Sequence, residues 1–328
     1  MAIGIFERVA SASGHALAAG LSAGVPASRR GFSLVGKNAL VTGGVRGLGF
    51  EVARVLVAKG ANVAVAARDA SDIRGAVDDL RDTSPNDDAR IIGEACDLRD
   101  PNAITAMLER VRARLGPVDV LVNNAGTTQV GPLDAMRVED FEDAMQVHCF
   151  APLRLVFGVW EDMRSRGGGR IANVSSIGGI VPVPHLLPYS VSKFALLGLS
   201  QGMHAELARD GIVVSTIAPG PMRTGSPRRA SFRGNQEKEY AWFAGSDTLP
   251  LLSVTPWRAA KRLVRAIERG ETYVVIGLPA KVAALASGVA PGLVARALTI
   301  ANAALPGWDD FPPRPRVSRV VATSPAWQ

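Results

Sequence analysis

The chain has 328 residues, 47% of them hydrophobic and 20% charged, with a formal net charge of +7. That balance can bury a sizeable core and excludes a fibrous or intrinsically disordered chain. The basic residues are scattered, clustering only at Arg228, Arg229 and Arg233, along 258–269 and along 314–319; with 5% aromatics and no nucleic-acid-binding motif, they read as solvated faces and argue against a DNA or RNA partner.

Residues 1–33 form an Ala/Gly/Ser-rich extension with Glu7 where a secretory signal carries positive charge. Poor packing is the default for it, and an organelle transit peptide stays open. Between 34 and 277, short apolar β-branched runs alternate with longer helical patterns. The runs fall at 38–42, 62–66, 90–95, 118–122, 170–174, 212–217 and 272–276, and their near-continuous apolarity predicts strands covered on both faces. This alternation predicts an α/β fold: a Rossmann-like, doubly wound parallel sheet in three layers, in a single domain with short extensions at both ends.

Two cysteines, Cys96 and Cys149, read as small buried side chains, giving neither a disulfide framework nor a metal-ligand spacing. No metal is expected, and a reducing cytoplasm fits. The last part, 278–328, carries an apolar stretch split by Pro291-Gly292 into halves too short to span a bilayer. Two short helices packed on the body are the favoured reading, with peripheral contact at a membrane surface the alternative. The end beyond Phe311 reads as extended.

The first strand runs straight into Gly43-Gly44-Val45-Arg46-Gly47-Leu48-Gly49 and a helical stretch. Residues without a Cβ let the chain turn sharply and let backbone approach a pyrophosphate, which the helix N-terminus then attracts. Asn123-Asn124-Ala125-Gly126 closes the fourth strand. The fifth leads into Ser175-Ser176, and Tyr189 and Lys193 follow within Pro188-Tyr189-Ser190-Val191-Ser192-Lys193. At i and i+4, Tyr189 and Lys193 share one helix face. A free tyrosine titrates near pH ~10, and a neighbouring ammonium favours its phenolate. Such a pair can pass a proton to or from an alcohol oxygen, while a serine hydroxyl supports the charge developing there. No Gly-x-Ser-x-Gly elbow competes with this reading.

The Thr-Gly-x-x-x-Gly-x-Gly loop, the Asn-Asn-Ala-Gly run, Ser176 thirteen positions before Tyr189, the Tyr-x-x-x-Lys pair and Pro219-Gly220 together resemble the classical short-chain dehydrogenase/reductase family over about 36–277. The resemblance implies a dinucleotide-dependent oxidoreductase of alcohols and carbonyls, with Ser176, Tyr189 and Lys193 catalytic. It places the cofactor on Gly43, Val45, Arg46, Gly47, Leu48 and Gly49, on Asp97 and Leu98, on Asn124, Ala125 and Gly126, on Tyr189 and Lys193, and on Pro219, Gly220 and Thr224. Asp97 capping the next turn is a fair alternative to its adenine role. His148 stands where the family usually carries Asn, as the fourth catalytic member. Either its imidazole joins a proton relay or it is a packed core histidine.

Ala67 takes the place of the ribose-binding carboxylate of an NAD site, and Arg68 follows it, with Arg46 in the glycine loop. Two guanidiniums suit a 2′-phosphate, so NADP(H) is the expected cofactor. Asp69 as ribose ligand, and hence NAD(H), is the alternative. About thirty residues after Pro219-Gly220 form a lid mixing Phe232, Tyr240, Trp242, Phe243, Leu249, Leu251 and Leu252 with arginines. Together with Val181, Val183, Leu186 and Leu187 they suggest a lipophilic small-molecule carbonyl or alcohol. A homo-oligomer follows by family analogy. The competing classes are a non-catalytic NADP(H) sensor or scaffold and a membrane-surface adaptor.

Overall fold

The computed structural model describes residues 31–84, 89–223, 225–248 and 253–306. The readings for 1–30, for Thr224, for the side chains of Leu249, Leu251 and Leu252 and for the tail beyond 306 lie outside them.

In chain order the elements are β1 (Asn38–Thr42), α1 (Gly47–Ala58), β2 (Asn62–Ala67), α2 (Ala70–Asp82), β3 (Ile91–Ala95), α3 (Pro101–Leu115), β4 (Val120–Asn123), β5 (Gln129–Val130), α4 (Val138–Met145), α5 (Ala151–Ser165), β6 (Gly169–Val174), α6 (Leu187–Leu207), β7 (Ile212–Pro219), β8 (Ser231–Phe232), α7 (Gln236–Thr248), α8 (Pro256–Arg269), β9 (Tyr273–Ile276), α9 (Leu278–Val289) and α10 (Pro291–Asn302). Seven strands form one parallel sheet in the order β3-β2-β1-β4-β6-β7-β9. All seven expected strands are present, with ends shifted by at most two residues.

Strand alternation explains why both faces are covered. Ala39 and Val41 of β1, in register with Val63 and Val65 of β2, point to one core with Val52 and Leu56 of α1 and Leu263 and Ile267 of α8. Leu40, beside Ala64 and Leu121, points to the other core, with Met107 and Val111 of α3 and Leu155 and Met163 of α5. Local signals set the ends of α8: the Thr255 hydroxyl accepts from the Arg258 N–H, Pro256 opens the first turn, and Gly270 closes the helix in a left-handed conformation. Ala259, Ala260, Leu263, Val264, Ala266 and Ile267 are buried, whereas Trp257 and Arg258, Lys261, Arg265 and Arg269 lie outside, so that basic run is a solvated face.

The terminal apolar stretch divides at Pro291, but its packing differs from the favoured expectation. In α9, Ala280 is buried and the Ser287 hydroxyl donates to Ile180 O. In α10 no residue is buried, and Leu278, Leu285, Val289, Leu293 and Ile300 all stand exposed. The reason is geometric: the sheet face that such helices could cover is already filled by α1 and α8. No helix among the described residues is long and apolar enough to cross a membrane. Cys96 is buried just past β3, where burial pushes its thiol up to about 11; Cys149 is half-buried and not fully covered as expected. No described disulfide joins them.

Candidate active site

The strand order reverses between β1 and β4, which opens a crevice beyond their carboxyl ends. The glycine loop lines it. Gly43 has φ +63°, which favours glycine. Gly49 is required by space: an added Cβ would stand 2.2 Å from Gly43 O and 2.4 Å from Asn124 Nδ2. Thr42 braces the loop against the fourth strand, its hydroxyl accepting from the N–H groups of Asn124 (3.0 Å) and Ala125 (3.1 Å), while Asn124 Nδ2 donates to Thr42 O at 3.1 Å. Sequence reasoning missed Thr42, although it opens the glycine motif. Asn124 thus acts through the loop, and the Leu48 side chain packs in the core, leaving only its backbone to face a ligand. The α1 N-terminus has no side-chain cap and no acidic residue in its first turn. Its unpaired N–H groups and positive dipole end fit a phosphate.

Ser176 sits half-buried just past β6, its hydroxyl accepting from Gly178 N at 3.0 Å. A Cβ built on Gly178 would lie 3.1 Å from Tyr189 Cε1 and 3.6 Å from Ser176 Oγ, so these two side chains flank the same backbone position. Tyr189 lies in the first turn of α6, half-buried. Lys193, one turn on, is buried with Nζ donating to Val174 O at 2.8 Å and 5.7 Å from the Tyr189 ring centre. Burial brings its ammonium down to about 7. Beneath lies a chain of buried hydrogen bonds: Asn123 Nδ2 donates to Asn173 Oδ1, Asn173 Nδ2 to Ser200 Oγ, and Thr216 Oγ1 to Ser200 Oγ.

His148 is fully buried in a π-turn, Gln146–Phe150, between α4 and α5. Its Nδ1 lies 2.7 Å from Ser192 Oγ, and its Nε2 accepts from the Thr127 N–H at 3.1 Å. Ser192 Oγ also lies 2.9 Å from Pro188 O, the acceptor for its own proton, which assigns the imidazole proton to Nδ1. Burial, then Lys193 and Arg99, hold the ring well below the usual histidine range, so it is neutral. Both nitrogens are therefore engaged, while the ring stands edge-on to Tyr189 at 5.5 Å.

Beside the glycine loop, Arg46 and Asp72 form an ion pair at 2.7 Å, and Arg229 reaches the same carboxylate oxygen at 3.4 Å. Arg68 follows β2, and Asp69 stands at the N-cap position of α2 without a capping bond from its side chain. Asp97 takes the turn-capping alternative, accepting from Arg99 N at 3.0 Å, and remains half-exposed. Arg99 pairs with Asp143, which also accepts from Gln129 Nε2; the ion pair holds the Asp143 carboxyl below its ordinary value. At the other end of the crevice Gly220 N donates to Ile276 O at 2.9 Å, continuing the strand past Pro219.

The lid comes from the segment after β7. A two-residue parallel ladder, β5 with β8, attaches it, and neither strand was expected. Val130, Leu186 and Phe243 form a small apolar cluster with Val183, Tyr189, Phe232 and Trp242. Tyr240 is more exposed, its ring against Phe232. One lid contact was illegible in the sequence. Glu239, fully buried, accepts from Trp242 Nε1 at 2.7 Å and lies 2.8 Å from His185 Nδ1. His185 has φ +60°, a left-handed conformation that costs a non-glycine residue roughly 1 kcal/mol or more. The hydrogen-bond contact of its Nδ1 with Glu239 and the Gly131 N–H, which donates to His185 O, hold it there.

A parallel doubly wound sheet with a glycine loop at its switch point and a serine, tyrosine and lysine on the adjoining floor is the arrangement of a nucleotide-dependent oxidoreductase. The short chain dehydrogenase family model matches residues 37–232, and the chain belongs to that family. It is 39% identical over 197 residues, 60% of this chain and 73% of the other, to a Streptomyces coelicolor protein assigned as a ketoacyl reductase. It is 36% identical over 191 residues, 58% and 76% of the two chains, to a 3alpha-hydroxysteroid dehydrogenase of Mediterraneibacter gnavus. Among solved structures, the L-sorbose reductase of Gluconobacter frateurii, complexed with NADPH and L-sorbose, has a TM-score of 0.66 and 26% identity, covering 75% of this chain and 97% of that one. The protein is accordingly an oxidoreductase acting on CH–OH and C=O groups.

Proposed function

We propose that the protein is an NADP(H)-dependent enzyme interconverting a carbonyl and an alcohol, with Tyr189 as general acid and base, Ser176 as the hydrogen-bond donor to the reacting oxygen and Lys193 beside the tyrosine. The observation that carries this reading is the placement of Lys193, buried, anchored at 2.8 Å on Val174 O and one turn from Tyr189. NADP(H), when bound, supplies or accepts the hydride. In reduction, the Ser176 hydroxyl donates to the carbonyl oxygen as negative charge grows on it. Tyr189 gives that oxygen its phenolic proton, and a phenolate forming beside Lys193 favours the charged amine over the neutral one that burial promotes. Oxidation runs the same proton path backwards. His148, neutral and doubly hydrogen-bonded, acts here as a packing residue against Tyr189.

NADP(H) over NAD(H) is supported by Arg46 and Arg68 beside a strand end that carries Ala67 and no carboxylate, and by the NADPH of the sorbose reductase. A lipophilic substrate is supported by the apolar cluster of Val130, Val183, Leu186, Phe232, Trp242 and Phe243, and by the acyl and steroid substrates named for two relatives. The sorbose reductase makes a small keto sugar the necessary counter-case. A homo-oligomer, expected from the family, has support in Phe157 of α5 and Phe194 of α6, which stand exposed.

The experiment is the loss of NADPH or NADH absorbance with a panel of ketones running from acyl thioesters and steroids to sugars. Turnover with NADPH on lipophilic ketones supports the whole reading. Faster turnover of a sugar would remove its substrate half, and turnover with NADH alone its cofactor half. NADPH binding with no turnover across the panel would favour the sensor reading.

A further inference from the structure

The lid also touches the body through Arg229. Arg229, in the short helical turn Ser226–Arg229, extends its guanidinium to Asp72 on the first turn of α2, 157 residues away in sequence. The same oxygen, Asp72 Oδ2, takes Arg46 from the glycine loop at 2.7 Å. One carboxylate thus holds two guanidiniums, drawn from opposite rims of the crevice. Burial and then Arg229 pull the Arg46 pKa down, Asp72 and Asp69 hold it up, and Arg68 adds a third like charge. With Arg68 and Asp69 also within electrostatic reach of Arg46, three guanidiniums stand against two carboxylates, a surplus of positive charge around the Arg46–Asp72–Arg229 contact.

We propose that Arg229 is a third ligand of the cofactor's 2′-phosphate, exchanging Asp72 for the phosphate, so that the adenosine end of NADP(H) clasps the substrate lid shut. This rests on the NADP(H) reading and extends it to a residue that the glycine loop and the second strand do not supply. A phosphate dianion offers three acceptor oxygens, enough for Arg46, Arg68 and Arg229 together, where Asp72 engages two of them on one oxygen. A cofactor lacking the 2′-phosphate leaves Arg229 on Asp72 alone. The lid then senses which cofactor is present, although its apolar cluster faces the substrate end.

The test is calorimetric titration of wild-type protein and Arg229→Ala with adenosine 2′,5′-bisphosphate and with 5′-AMP, neither of which carries nicotinamide. The wild type should prefer the bisphosphate; absence of that preference would remove the NADP(H) reading itself, independently of Arg229. Arg229→Ala should weaken the bisphosphate about tenfold, or about 1.4 kcal/mol, and leave 5′-AMP unchanged, with Arg229→Lys between the two. Unchanged bisphosphate affinity, or equal losses for both nucleotides, overturns the assignment to the 2′-phosphate. Arg229 is more than half exposed, so the variant should fold, and an unchanged melting temperature checks it. Amide exchange in Gln236–Thr248 supplies the second readout. The bisphosphate should slow it in the wild type and not in Arg229→Ala; equal slowing in both overturns the clasp.

Discussion

The floor of the site and its lid are held by different physics. On the floor, Ser176 stands just past β6 and Tyr189 and Lys193 on α6, elements whose positions follow from a six-residue ladder of β6 with β7 and from buried hydrogen bonds running through Asn123, Asn173, Ser200 and Thr216. The lid hangs from a two-residue ladder, a small apolar cluster and a few side-chain contacts: Glu239 with His185 and Trp242, Arg233 with Asp140, and Arg229 with Asp72. Chemistry placed on rigid elements keeps its geometry, whereas a lid held by side chains can be rewritten for a new substrate without disturbing the reaction. Changes to the floor should therefore cut kcat, and changes to the lid should raise KM.

The largest effect should come from Lys193→Met, which lowers kcat by roughly 10²–10⁴-fold, the range of a lost acid–base function. Its stability carries a distinct signature. The buried amine has a folded pKa of about 7 against an ordinary 10.5, so between those values the unfolded chain binds the extra proton and stability rises with pH. Below pH 7 both states are charged and the full burial cost remains. Lys193→Met should therefore be more stable than the wild type near pH 7, with the gain fading towards pH 10.5; thermal melts across that window check the sign. A constant difference would place Lys193 outside the buried floor.

Glu239→Ala comes next. It leaves Trp242 Nε1 and His185 Nδ1 without their buried acceptor, at a cost of about 1–3 kcal/mol, and frees a strained backbone two residues from the start of α6. KM for the substrate should rise roughly tenfold, about 1.4 kcal/mol, with kcat nearly kept and partial rescue by Glu239→Gln. Equal loss in kcat would mean that the latch belongs to the floor. The smallest effect should be that of His148→Asn. Burial keeps the ring neutral well below pH 6.5, so the pH profile of kcat/KM should not move. What should change is acid stability: a histidine that protonates only on unfolding costs stability as pH falls below about 6.5, and the variant should lose that dependence.

The legible and illegible parts of the molecule follow the same division. The seven main strands could be read because burial on both faces leaves a continuous β-branched run, and the floor because Tyr189 and Lys193 lie four positions apart on one helix. The lid was legible as an apolar insertion after Pro219-Gly220, but the contacts that hold it were not. Strands β5 and β8 are too short for any periodicity, Arg229 finds Asp72 157 residues away, and Glu239 sits in a polar stretch, Gln236-Glu237-Lys238-Glu239, that gives no hint of its burial. The apolar halves around Pro291 read correctly as helices. Whether they pack depends on free core surface, which a linear pattern does not report. His148 was balanced between relay and packing because its partners, Thr127 and Ser192, come from two other segments.

Tyr189, as the group that moves the proton, is the residue on which the proposed chemistry depends. Stopped-flow oxidation of bound NADPH by Tyr189→Phe, with the best ketone of the panel and with NADPH affinity measured in parallel, tests it most directly. The predicted result is a hydride step slowed by roughly 10²–10⁴-fold while NADPH still binds as in the wild type. Turnover retained in Tyr189→Phe would contradict the assignment and require another proton donor.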